Sequence, residues 1–138
     1  MAGKTTVLQK TYQIEDSAVN LYTAVTYGAV VGSCKIPTAD NAVPLGIVDN
    51  DERAADALRS GLDQTGRNIA VKLDGIGEVK LAGQVTYGTR VILGEGGTVK
   101  ALPTDAGTYN VIGYAEKTGE DGDVIPVRIA PQSVVVTV

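Results

Sequence analysis

The side chains able to do chemistry fall into few groupings. Two acidic clusters stand out, Asp49-Asn50-Asp51-Glu52 and Glu120-Asp121-Gly122-Asp123. Neither has the alternating Asp-x-Asp-x-Asp-Gly register, closed by a distant Glu, that a calcium loop requires. Both are assigned to solvated turns or helix caps, and no metal site is expected. The single cysteine, Cys34, ends the strand-like run Val30-Val31-Gly32-Ser33-Cys34. A thiolate nucleophile needs a neighbour to activate it, and the chain has no histidine. That absence also removes the commonest general base and any Ser-His-Asp or Cys-His site within one chain. Cys34 is therefore read as a small buried hydrophobe, and a lone cysteine fits a reducing compartment. Gly94-Glu95-Gly96-Gly97 has the composition of a phosphate cradle, but such a loop needs a helix or lysine directly behind it. Thr98-Val99-Lys100 reads as strand, so a hairpin loop is expected, and no cofactor.

The elements that must position these residues are strands. The 138 residues include 17 Gly, 5 Pro and six Tyr but no Trp or Phe. Val, Ile, Thr and Tyr fill the periodic segments, the pattern of many short strands joined by tight turns. The fold class is all-β, a small β-barrel or β-sandwich with an aliphatic core, and the length suits one domain.

The chain also says nearly the same thing twice. Val25-Thr26-Tyr27-Gly28 recurs as Val85-Thr86-Tyr87-Gly88, and Gly28 and Gly88 are expected at turns where a side chain would clash. Three blocks follow each copy in one order: Lys35–Asp40 and Lys100–Asp105, Pro44–Val48 and Val111–Ala115, Gly66–Leu73 and Gly122–Ile129. This points to two duplicated β-units. The expected organisation is an N-terminal arm over 1–11 and a single β-domain over 12–138, with repeat one at about 12–82 and repeat two at about 83–138. Strands are predicted around 19–25, 29–36, 43–48, 68–73, 77–82, 90–93, 97–102, 109–116, 123–129 and 133–138. One segment breaks the pattern: capping residues, helix formers and the stop Gly61 predict a short inserted helix within 49–62, with Ala54, Leu58 and Leu62 as a narrow apolar stripe capping the barrel.

Charge is divided along the chain. The net charge is −4, yet residues 1–14 carry +2 from Lys4 and Lys10, leaving −6 on the remainder. An acidic body with scattered basic residues is a poor binder of nucleic acid. No stretch approaches the roughly 20 apolar residues of a membrane span, and no membrane partner is expected. The basic start reads either as a frayed terminus, the usual case, or as an arm lying on a partner, with Val7 and Leu8 as apolar anchors.

Two family resemblances bear on function. Gly46-Ile47-Val48-Asp49-Asn50-Asp51-Glu52-Arg53 resembles the catalytic Asp motif of dUTPases, Arg59-Ser60-Gly61 their phosphate-contacting motif, and Arg128-Ile129-Ala130 a further one. The order of the first two is reversed here, Glu52 replaces an aromatic, and the end Ser133–Val138 lacks the family's Gly-rich tail. A nucleotide hydrolase is the third-ranked reading. The paired order of strand, Gly turn, Lys-x-Pro-Thr-Ala-Asp-like loop, Leu-Gly-Ile or Ile-Gly-Tyr-Ala step and Val-x-Val-Lys/Arg strand covers most of the chain. It resembles the capsid decoration, or cement, proteins of tailed bacteriophages. That resemblance implies a non-enzymatic homotrimer, made in the host cytoplasm, that sits on the outer surface of the virion head. There it would bind the major capsid protein and lock capsomers together, with capsid-binding residues Lys4, Thr5, Thr6, Val7, Leu8 and Lys10. A tail or baseplate protein is the second reading.

Overall fold

The computed structural model describes residues 4–50, 52–53 and 63–137. Among them run nine strands: β1 (Thr5–Ile14), β2 (Thr23–Tyr27), β3 (Ser33–Lys35), β4 (Pro44–Val48), β5 (Asn68–Lys80), β6 (Arg90–Leu93), β7 (Val99–Ala101), β8 (Gly107–Ala115) and β9 (Val124–Val136). The expected all-β class holds. The expected helix falls largely on residues 51 and 54–62, which lie outside the described residues. Of that segment, Arg53 forms a β-bridge with Val19.

The strands make one sheet in the order β1-β3-β2-β4-β5-β9-β8-β6-β7, with β1 also paired to β5. This extra antiparallel pairing, from Thr5–Ile76 to Gln13–Asn68, closes the first five strands into a barrel. The pairings β2–β3, β2–β4 and β4–β5 then recur as β6–β7, β6–β8 and β8–β9. The second ring is drawn shut by a bridge between Leu81 and Val99, parallel like the pairing of Ile14 with Cys34. Strand β5 belongs to both rings: Asn68–Ile76 pairs with β1, and Gly75–Lys80 with β9.

Hydrogen bonds show the duplication residue by residue. The Val19–Arg53 bridge is matched by Val85–Gly119. The bulge between Val25 and Thr26 is matched by one between Val91 and Ile92. Tyr22 N–H donates to Val48 O at 2.7 Å, and Gly88 N–H to Ala115 O at 2.7 Å. The core repeats too. Ile14, Val19, Val25, Cys34, Leu45, Val48, Ile69 and Val71 fill the first barrel. In the same order Leu81, Val85, Val91, Val99, Ile112, Ala115, Ile125 and Val127 fill the second. Ala24 and Ile47, from the outer face of the first barrel, join the second core. Ile47 presses on Gly77, and its full burial contributes about 1.5–3 kcal/mol to holding the barrels together.

The structure corrects several sequence expectations. The four identical letters are out of register: Val85-Thr86-Tyr87-Gly88 precedes β6, and its counterpart is Val19-Asn20-Leu21-Tyr22, six residues before the first copy. Letter identity between a strand and a turn misled, because only size and polarity are repeated in the core. Gly88 has φ 85° with nothing near its missing side chain, so backbone conformation selects it; at Gly28 the expected clash is real, with Ser33 and Glu15. Residues 68–73 and 77–82 belong to the single strand β5, ending at Lys80. It runs through Gly75 at φ 107°, where the Thr5 carbonyl leaves no room for a side chain. Strand β9 likewise continues across Pro131, which sits at a register shift against β8 and faces no partner that needs its missing N–H. Finally, residues 5–11, expected as an arm, pair with β5.

Candidate interaction surface

Residues 4–10 run along the closing seam of the first barrel. Thr5, Thr6, Leu8, Gln9 and Lys10 pair with β5; Val7 is skipped at the register shift between Thr6 and Leu8, and a second shift separates Leu8 from Gln9. Their side chains stay exposed, with Val7 at 67% and Leu8 at 53% of full exposure. Lys4 folds back onto its own domain, its Nζ donating to Asn50 Oδ1 at 2.9 Å and Asp49 O at 3.3 Å. Lys10 lies over the Tyr12 ring at 5.2 Å. Five of the six residues singled out from the sequence thus share β1, with Lys4 just ahead of it, but Lys4 and Lys10 already have intramolecular partners.

A second exposed apolar feature escaped the sequence reading. The link from β2 to β3 carries Val30 at 69% exposure and Val31 fully exposed, beside the outward ring of Tyr27. A shallow depression at its foot is lined by Lys10, Tyr12, Tyr27 and the turn itself. The turn is well tied. Glu15 Oε2 accepts from Ala29 N–H at 2.6 Å and from the Ser33 hydroxyl at 2.7 Å, and Ser33 Oγ accepts from Val30 N–H at 3.2 Å. The Ser33 hydroxyl, helped by the Ala29 and Val30 amides, holds the Glu15 carboxyl below its ordinary value. The available signal was a β-branched pair bracketed by Gly28 and Gly32, the latter at φ 84°, which reads equally well as the strand expected over 29–36.

Two of the residues in the hydrolase-like motifs, Asp49 and Arg128, have partners within the domain. Asp49 and Lys72 form an ion pair at 2.9 Å, with side chains 1% and 0% exposed. Lys72 Nζ also donates to Ile76 O at 3.0 Å, and Asp49 Oδ2 accepts from Glu78 N–H at 3.0 Å. Among the described residues, Asp49 Oδ1 is buried without a hydrogen-bond partner. The Arg128 guanidinium stacks on Tyr114 at 4.7 Å, and Arg59-Ser60-Gly61 lie outside the described residues. In the other acidic cluster, Asp121 and Asp123 cap the amides of Gly83 and Glu120. Cys34 is buried in the first core, and desolvation, reinforced by Asp16 and Glu15, pushes its thiol up to about 11.

No protein-family model matches the chain, and no curated protein matches it. Among solved structures, the N base of the head fiber gp8.5 of bacteriophage phi29 is similar. It superposes with a TM-score of 0.60 at 18% identity, over 89% of this chain and 93% of that one. The two chains share a fold across nearly their whole lengths.

Proposed function

We propose that this chain is a structural protein of a phage virion, a homotrimer that attaches to the outer surface of the head and acts by binding alone. The observation that carries the reading is the end-to-end likeness to the base of a head fiber, a module at the position this function requires. It agrees with the independent resemblance of the sequence order to decoration proteins. Under this reading the partner is the major capsid protein, and Val7 and Leu8 on β1 are candidate contacts. Each subunit would contribute a modest contact, and a trimer engaging several sites at once would gain most of its affinity from avidity.

The test is to count and locate the protein in an electron-microscopy map of the particle. Copies on the outer shell at repeated symmetry positions are expected. A few copies confined to one vertex would transfer the protein to the tail or baseplate and end the head-surface reading.

A further inference from the structure

We propose that the tip of the β2–β3 hairpin, centred on Val31, docks on the second barrel of another copy of this chain, with Lys35 meeting Asp105 of the partner subunit. The contact rests on the homotrimer of the reading above and gives that trimer its interface.

The template for it lies inside one chain. The tip of the counterpart hairpin, β6–β7, is seated on the first barrel. Gly97 lies so close to Thr23 and Ala24 that a side chain there would collide, and Leu21, Tyr22 and Thr23 line the cleft beside Gly96 and Gly97. Gly96 N–H donates to Pro37 O at 2.9 Å. Asp40 completes the seat: its Oδ1 accepts from Glu95 N–H at 2.9 Å, and its Oδ2 pairs with Lys100 at 2.7 Å.

Both halves of that contact occur a second time. The β2–β3 hairpin keeps the frame of the tip: Gly28 N–H donates to Ser33 O at 3.0 Å as Gly94 N–H donates to Thr98 O at 2.7 Å. Gly32 and Gly97 both take positive φ, 84° and 89°, and Lys35 pairs with Thr26 as Lys100 pairs with Ile92. The second barrel keeps the seat. Thr89 stands at the position of Thr23, Leu102 offers the carbonyl at the position of Pro37, and Asp105 follows Lys100 as Asp40 follows Lys35. Among the described residues, neither Lys35 nor Asp105 forms an ion pair.

The differences between the two arrangements offset each other. Val31 stands where the seated tip has Gly96, and Gly88 where the seat has Tyr22, so bulk gained on the tip is matched by bulk lost from the floor. Leu21 gives way to Tyr87, whose ring is exposed, as Val30 and Val31 are on the tip. Adjacent exposed apolar side chains on a tied loop mark an interaction site and lose little freedom on binding. Arg90 and Tyr114 replace Ala24 and Ile47, and arginine and tyrosine are residues that contacts between chains favour.

Charge balances on the same plan. Glu15 already takes the Ala29 amide at 2.6 Å, the bond that Asp40 makes with Glu95, so Asp105 is left to the lysine. Two carboxylates, Glu15 and Asp105, then meet two cations, Lys35 and Arg90. The other charges near the two faces have partners of their own: Lys10 lies over Tyr12, Asp16 accepts from Ile36 N–H at 2.6 Å, and Arg128 stacks on Tyr114. Glu116 and Arg128 add no net charge where Asp49 and Lys72 pair in the first barrel. A second copy is thus the partner whose surface carries the seat in the required order. The contact joins the first barrel of one copy to the second barrel of the next, and such a head-to-tail contact closes into a ring when its rotation allows, as a homotrimer requires.

The experiment refolds unlabelled and heavy-isotope-labelled protein together, cross-links the mixture with a zero-length carbodiimide, and maps the lysine–carboxylate bonds by mass spectrometry. Lys100–Asp40 is the internal control and should join chains of one label only. Lys35–Asp105 should join light chains to heavy ones. In sedimentation velocity the wild type should be a trimer, and Val31→Asp and Asp105→Lys should each weaken association about tenfold or more, with circular dichroism unchanged because both side chains are exposed. A trimer indifferent to both substitutions, or Lys35 joined only within its own chain or not at all, overturns this inference and leaves the homotrimer standing. A monomeric wild type overturns both, while attachment is judged separately by co-sedimentation with purified heads. If Val31→Asp weakens that co-sedimentation but not the trimer, the tip's partner is the shell and this inference is wrong.

Discussion

Lys72→Met should be among the most damaging single substitutions in this chain. The methionine keeps most of the lysine stem's volume, so the loss is electrostatic rather than a cavity. It strips the Asp49 carboxylate of its cation at a site where both side chains are essentially inaccessible, leaving the Glu78 amide as its hydrogen-bond donor among the described residues. Removing one member of a buried pair costs about 3–5 kcal/mol. At ~3–5 °C per kcal/mol for a chain of this size, the melting temperature should drop by roughly 9–25 °C. The double substitution Lys72→Met/Asp49→Leu removes both charges. It orphans Ile76 O and Glu78 N–H, each worth about 1–3 kcal/mol if left unpaired, but relieves the desolvation of two ions, worth a similar amount. It should therefore fall within about 2 kcal/mol of wild type. Chemical denaturation at neutral pH, run as a double-mutant cycle, measures all three differences. A loss below about 1 kcal/mol for Lys72→Met, or a double variant as unstable as the sum of its singles, would refute the reasoning.

Three further outcomes are expected. Because bonding depresses the Glu15 carboxyl, its contribution is fully present above the ordinary carboxylate range and is lost as pH falls through the folded value. Amide exchange at Ala29 and Val30 should quicken in acid in wild type, and should be fast and nearly pH-independent after correction for intrinsic rates in Glu15→Ala. Gly113→Ala drives a side chain into the Arg128 carbonyl, whereas Gly32→Ala meets only open space at φ 84°. Thermal denaturation should show a loss of about 3 kcal/mol or more for the first and about 1 kcal/mol for the second. Cys34, buried and with its thiol raised to about 11, should resist iodoacetamide at pH 8 in the native protein and react promptly in denaturant, as followed by mass spectrometry.

What the sequence disclosed was whatever repeats locally. The alternation of aliphatic and polar residues gave the class, and the Leu-Gly-Ile and Ile-Gly-Tyr steps gave true counterparts, because Gly46 and Gly113 must both admit a main-chain carbonyl from the adjacent strand. The core pairs Cys34 with Val99 and Val48 with Ala115 share no letter, only the need to fill a similar space, so matching by identity settled on a surface turn and slipped by six residues. Strand β1 was missed because nearly all its side chains face water. It is a strand through its main-chain bonds to a segment about 60 residues away, which no local pattern announces. The Asp49–Lys72 pair is hidden for the same reason, and the Val30–Val31 tip because two valines at a turn and two valines in a strand look alike.

Strand β5 has a mechanical consequence. Most tandem modules are joined by a linker that can stretch before either module is loaded. Here the joint is a thirteen-residue strand whose two ends are built into different barrels. Tension applied across the chain therefore has no slack to take up, and it must shear the ladders with β1 and β9 lengthwise, loading many hydrogen bonds in parallel rather than one at a time. By the same geometry neither barrel can open along β5 without exposing the other. The chain should yield at a single threshold, as one bar rather than two beads on a string.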